Sequence, residues 1–350
     1  MYATAAADPT LANATARDNV LVWDRQHGGH YEVWYLTFNH VASRTGYWLR
    51  YVIEAPLHGA AYAQVWFGYF DGRDPKNNFA MHDTHPVAEL ADAAEPFRIA
   101  IGAAELGHDH ARGAIAGAGH SASWDLSWLP APATHLLMPR IVYKSLPIGD
   151  TRALSPNLDV PIRGTVVVDG RTVTFEGAPG AQSHIWGKKH GYEWAWGHCN
   201  AFEGRRGAAL ETLSARLARR GLVSPPLTFV ALYLDGETFR FTELQNTLLN
   251  RGRFGTGHYA FSARGADVRI AGEFRCRPED MVLSEYVDPD GEKLYNTMTC
   301  VGDLEVVVHR RSTLFGRWAE QARLVAPQVG HFEVAGRNPD PAIEKRHVPL

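Results

Sequence analysis

Cysteine is scarce in this 350-residue chain: only Cys199, Cys276 and Cys300 occur. Three thiols cannot build a disulfide framework, and their spacing matches neither a zinc nor a redox motif, so a reducing, cytoplasmic compartment is expected. No apolar run approaches the ~20 residues that a membrane-spanning helix needs, which excludes an integral membrane segment of that kind. Charge of one sign is missing too. Lys and Arg total 35 against 38 Asp and Glu, for a net charge of −3, and this leaves no electrostatic footprint for nucleic acid. Phosphate-loop, dinucleotide and nucleophile-elbow fingerprints are absent. The glycines of Gly113–Gly119 have neither the spacing nor a following helix signal, so nicotinamide and hydrolase chemistry are poor readings. Met1–Arg17 lacks the basic and apolar regions of a secretory leader and reads as a tail, as do residues 336–350.

What is present is period-two patterning. Trp48–Glu54, Tyr62–Phe70, His120–Trp128, Thr165–Phe175, Phe229–Leu234 and Asp303–His309 are short apolar-aromatic runs bounded by turn residues, as half-buried antiparallel strands are. Asp-Gly pairs at 71–72, 169–170, 235–236 and 290–291 supply hairpin turns, with Val166–Val173 the cleanest hairpin. Serial hairpins predict an all-β barrel or curved sandwich. Helical spacing is confined to Leu210, Leu213 and Leu217 within 207–220, and to Leu314, Trp318 and Ala322, which predicts two short accessory helices. The length suggests two domains. Prolines 130, 132, 139, 147, 156 and 161 place the seam in mid-chain, giving domains at 18–160 and 161–335 with tails at 1–17 and 336–350.

The most informative stretch is Gln182–Phe202. If residues 191–202 form one strand, Tyr192, Trp194, Trp196, His198, Asn200 and Phe202 share a face, and Gly191, Glu193, Ala195, Gly197, Cys199 and Ala201 take the other. A large, aromatic, hydrogen-bonding face opposite a small one suits an apolar cavity with a few polar handles. His184 and Trp186 share a face of the preceding segment. In the first half His120, Trp124, Leu126 and Trp128 do the same, so Trp124 is a further candidate ligand contact. A strand face of this kind is also what ordinary core looks like.

Trp186-Gly187 followed by Trp194-Ala-Trp196-Gly-His198-Cys199-Asn200-Ala-Phe202 resembles the Trp-Gly and Trp-x-Trp-x-x-Cys-Asn-x-Phe motif of tocopherol cyclases, and more loosely the carotenoid hydratases (hydroxyneurosporene synthases) and AttH-like proteins. The resemblance implies two consecutive lipocalin-like β domains and a cofactor-independent, acid-triggered attack on an isoprenoid double bond inside an apolar cavity. It also implies a carboxylate three residues before the Trp of Trp-Gly, or directly before that Trp. Here those positions hold Ser183 and Ile185, and a serine is far too weak an acid to protonate an alkene.

The remaining proton donors in this stretch are His184 and His198, as imidazolium acids, and Glu193, if a pocket wall keeps it protonated. Trp186, Tyr192, Trp194, Trp196, Asn200 and Trp124 would contact the ligand, the indole and phenol faces stabilising developing positive charge. His82-x-x-His85 and His108-Asp-His110 do not complete a metal set and read as loop histidines, so neither metal nor cofactor is expected. Two functions follow: a cyclase, hydratase or isomerase acting on an apolar isoprenoid-like molecule in a β-barrel cavity, or a non-catalytic binding protein for a lipid or terpenoid. The sequence leaves homo-oligomer formation open.

Overall fold

The computed structural model describes residues 15–144, 150–219, 221–313, 316–343 and 347–348. The chain is all-β. Among the described residues α-helix is confined to residues 15–16 and the short Arg140–Lys144, and no helix is long and apolar enough to cross a membrane. The strands form two large curved sheets of 12 and 11 strands. The first runs from His30–His40 through the long hairpin Thr151–Val168 and Arg171–Gly187, and the second from Glu193–Cys199 to Ala319–Gly336. The expected seam at 160/161 falls inside Thr151–Val168, a strand hydrogen-bonded on both sides within the first sheet.

Turn chemistry explains the long hairpin. Asp169 and Gly170 both adopt positive φ, +48° and +76°, the two-residue geometry whose twist matches antiparallel strands. Asp235-Gly236 repeats it, at +51° and +81°.

Among the described residues the two expected helices are not formed. Residues 209–216 are a strand between Glu193–Cys199 and Leu227–Leu234, and Ala322 lies in the strand Ala319–Gly336; Leu314 and Arg220 lie outside the described residues. The leucine spacing at 210, 213 and 217 is overridden because both sheet neighbours hydrogen-bond this segment. The ends are also less tail-like than their composition suggests. Thr15 is buried, with its hydroxyl 3.0 Å from His108 Nε2. Ile343 is buried, and His347–Val348 pairs in parallel with Leu283 and Ser284.

Each sheet encloses its own core, and a third core lies between them. Strand parity assigns the faces. Trp34, Leu36 and Phe38 point into the first sheet, while Tyr31 and Val33 on the alternate positions join a cluster shared with Trp194, Trp196, Leu213 and Phe229 of the second. Conversely, Ala195 and Cys199 enter the second sheet's own core. Strands buried on both faces carry near-continuous apolar sequence, and Thr45–Ala55 is buried at all 11 positions. The sheets are tied by Asn39, which donates to the Cys300 carbonyl at 2.8 Å and accepts from His331 Nε2 at 2.5 Å. They approach so closely at Gly46 that a Cβ there would lie 2.5 Å from Cys300.

Candidate active site

Between the sheets is a cavity of about 400 Å³, within the size range of small-molecule pockets. Val33, Tyr35, Trp48 and Ile185 of the first sheet form one wall, and Trp194, Trp196, Leu213 and Phe229 of the second form the other. Leu137, Met138, Pro139 and Val142, around the short helix, cover one side. The aromatic face of Glu193–Cys199 therefore addresses a space between the two sheets; the expected position was the inside of one barrel. The reason is size. The small face of this strand, with Gly197 packed under the Phe274 ring, is the one that fits the crowded barrel interior, which leaves the indoles for the outer face.

A buried carboxyl faces this space. Glu211, 1% exposed, accepts from Trp196 Nε1 at 3.1 Å and from Ser155 Oγ at 3.1 Å to each carboxyl oxygen. Ser155 Oγ is in turn 2.8 Å from Ser183 Oγ. Since the Ser155 proton is used on Glu211, the Ser183 hydroxyl donates to Ser155. Burial pushes the Glu211 pKa from 4.5 up to about 7, against the downward pull of the Trp196 and Ser155 hydrogen bonds. Such a carboxyl is substantially protonated at neutral pH. His135 Nε2 lies 3.3 Å from Glu211, while its Nδ1 is 2.8 Å from the Tyr233 hydroxyl; burial pushes this histidine down to about 3, so it is neutral.

A histidine lines the cavity elsewhere. His190 stacks on Tyr31 with ring centroids 3.9 Å apart and on Trp194 at 5.4 Å. Its Nδ1 is 2.7 Å from Asp288 Oδ1, and Asp288 also accepts from the His190 backbone N–H and from Arg337. Burial lowers the His190 pKa and the Asp288 carboxylate partly restores it. With Nδ1–H donated to Asp288, Nε2 keeps a lone pair, the arrangement of a general base.

The residues singled out from sequence are dispersed. Tyr192, Trp194 and Trp196 line the cavity; Trp186, Asn200 and Trp124 do not. Trp124 is core of the first sheet, its indole donating to Tyr51. Asn200 donates to Asp159 and the Gly180 carbonyl, and Trp186 packs on His184.

None of the three expected acids lines the cavity. His184 points into the first sheet, stacked on Trp34 at 4.7 Å, with its nitrogens 2.7 Å from the Asp18 carbonyl and 2.9 Å from Glu32. His198 lies behind Trp196, and burial pushes its pKa down to about 4, so it is not an imidazolium at neutral pH. Glu193 is half-buried at the edge, 3.6 Å from Arg216. Parity places His184 and Ser183 on opposite faces, and only Ser183 joins the cluster at Glu211. Glu211 and His190 were not singled out: the first was hidden by the helical reading of 207–220, the second lay just before the strand. The available signal for Glu211 was a lone acid at an alternate position in Ala-Leu-Glu-Thr-Leu.

Residues 161–336 match the family model described as tocopherol cyclase-like. An uncharacterized protein of Mycobacterium tuberculosis strain H37Rv is 28% identical over 291 residues, covering 81% of this chain and 82% of its own. Among solved structures, an AttH from Nitrosomonas europaea superposes with a TM-score of 0.53 at 13% identity, covering 91% of this chain and 98% of the other. CghA superposes at 0.51 with 8% identity, covering 91% and 93%. At these identities the structures establish a shared fold.

Proposed function

The chain belongs to the tocopherol cyclase-like family, and from that premise we propose that it is an acid–base cyclase, hydratase or isomerase acting, without a cofactor, on an apolar isoprenoid-like substrate held between the two sheets. The observation that carries this reading is Glu211, a buried carboxyl on the wall of an apolar cavity with a pKa pushed up to about 7. It supplies the acid missing at Ser183, to which Ser155 connects it. In this scheme the Glu211 carboxyl protonates a substrate double bond, forming a C–H bond and leaving a carbocation and a carboxylate. Trp194 and Trp196 present indole faces to the cation. The carboxylate left behind retains the hydrogen bonds from Trp196 and Ser155, which strengthen as charge develops on it.

The cation is then quenched in one of three ways. Attack by a substrate hydroxyl closes a ring, attack by water gives a hydration product, and loss of a neighbouring proton moves the double bond. In each, His190 Nε2 takes the released proton, and exchange with solvent restores both groups. Proton transfer by positioned groups of this kind contributes roughly 10²–10⁴-fold each.

The test is incubation with a panel of polyprenylated phenols and carotenoid precursors in D₂O, with mass spectrometry of both protein and product. The expected result is capture of a panel member and its conversion with deuterium on carbon, abolished in Glu211→Gln. Conversion that persists in Glu211→Gln removes Glu211 from the chemistry. Capture without deuterium incorporation assigns the protein to non-catalytic binding.

A further inference from the structure

The cavity wall carries three cations that the acid–base scheme does not use, Arg50, Lys189 and Arg337. Lys189 is ion-paired with Asp290 and Glu292, and Arg337 with Asp288 and Glu292, which leaves Arg50. Arg50 lies on Thr45–Ala55 with its side chain on the cavity wall, and it is 6% exposed. Its guanidinium carbon lies over the Tyr286 ring, 3.9 Å from the centroid. Among the described residues it makes no hydrogen bond and no ion pair. A guanidinium does not deprotonate in a protein, and it offers five N–H donors in one plane. The contact with the ring leaves those donors unspent.

The neighbouring carboxyls do not neutralise it. Glu54 lies four residues along on the same strand face; burial holds its carboxyl well above the usual range, against the downward pull of the Arg50 charge, and the two make no ion pair. Asp288 is committed to His190 and Arg337, Glu292 to Lys189 and Arg337, and Glu333, also on the cavity wall, accepts from Trp194 and Asn296. A buried charge without a partner is costly, and a ligand anion is the group that would compensate it.

We propose that the ligand of this cavity carries a carboxylate, which pairs side by side with the Arg50 guanidinium while its apolar body extends toward Glu211. The inference rests on the reading of the cavity as the substrate site and adds the class of substrate: an amphipathic isoprenoid-like acid. With Lys189 and Arg337 already ion-paired, the single unspent cation suits a planar monoanion and disfavours a diphosphate, which would demand several. Bidentate guanidinium–carboxylate geometry supplies the selectivity. The sheet register sets the spacing. Ser183, Tyr35 and Arg50 are successive cross-strand partners, so the carboxylate site and the Ser183 end of the acid cluster are two strands apart, roughly 10 Å at the backbone.

The experiment titrates the full chain at pH 8 with three matched probes, farnesoic acid, farnesol and farnesyl diphosphate, following the fluorescence of the cavity tryptophans. The acid is expected to bind about 10- to 100-fold more tightly than the alcohol and more tightly than the diphosphate. Arg50→Gln should erase the acid's advantage while farnesol still binds, and Arg50→Lys should restore part of it. Equal affinity for acid and alcohol in the wild type, which needs no variant to fold, overturns the proposal while keeping the cavity; a preference for the diphosphate overturns the carboxylate assignment. An acid preference that survives Arg50→Gln places the anion elsewhere. Binding of none of the three overturns both this inference and the reading it rests on, whereas acid-selective binding without conversion leaves this inference standing and refutes only the catalytic one.

Discussion

Replacing Glu211 by Gln changes the pH dependence of stability in a way the structure fixes in sign and size. The carboxyl moves from 4.5 to about 7 on folding because it is buried. The native state therefore holds this proton more tightly than the unfolded chain does. The contribution is fully present below pH 4.5 and is lost as pH rises through about 7. A shift of this size corresponds to about 3 kcal/mol in total, of which roughly 2–3 kcal/mol falls between pH 5 and pH 8. Gln has nearly the same shape, still accepts from Trp196 and Ser155 through its amide oxygen, and does not titrate. Urea unfolding of both proteins at pH 5, 6, 7 and 8 gives a difference curve from which the other titrating groups largely cancel. Wild type should lose that 2–3 kcal/mol relative to Glu211→Gln across the range. A flat difference curve, or one rising with pH, would refute the claim that Glu211 is buried as a neutral acid.

Three further outcomes follow from the same geometry. Trp196→Phe keeps the ring but removes the Nε1 donor to Glu211, so the Glu211 titration midpoint should rise by roughly one pH unit in an infrared titration of the carboxyl; an unchanged midpoint would show that this bond does not steady the carboxylate. His184→Ala strips buried Glu32 of a partner and should cost about 2–4 kcal/mol of stability in urea, yet leave deuterium incorporation into substrate intact in the folded protein; loss of incorporation there would return His184 to the chemistry. Gly46→Ala forces a methyl group against Cys300 across the sheet interface, with an expected cost of about 1–3 kcal/mol in the same assay; a neutral result would show that the sheets can separate at this point.

The fold was legible because its carriers are local. Alternation and turn residues act over a few positions, and Val166–Val173 formed the hairpin its Asp-Gly pair prescribes. The site was legible only where it shares a strand with the motif. Tyr192, Trp194 and Trp196 followed from parity along one run, but the cavity they line depends on which face each sheet turns toward its neighbour, and that is decided by packing between segments more than 100 residues apart. Glu211 was masked by a leucine spacing that also satisfies a helix. Arg50 sits in a run, Trp48-Leu-Arg-Tyr-Val-Ile53, whose apolar character hid it, although a lone charge in a strand buried on both faces is itself a signal. His184 illustrates the converse: adjacent to the motif, it faces the first sheet's core, where Glu32 and the Asp18 carbonyl hold it.

The central claim is that a neutral Glu211 carboxyl faces the bound molecule. Infrared difference spectroscopy, wild type minus Glu211→Gln, isolates its C=O stretch as pH is raised from 5 to 9, with and without farnesoic acid. The account predicts a protonated-carboxyl band at low pH that disappears with a midpoint near 7 and shifts in frequency when the ligand occupies the cavity. A midpoint near the ordinary 4.5, or a band indifferent to the ligand, would contradict it.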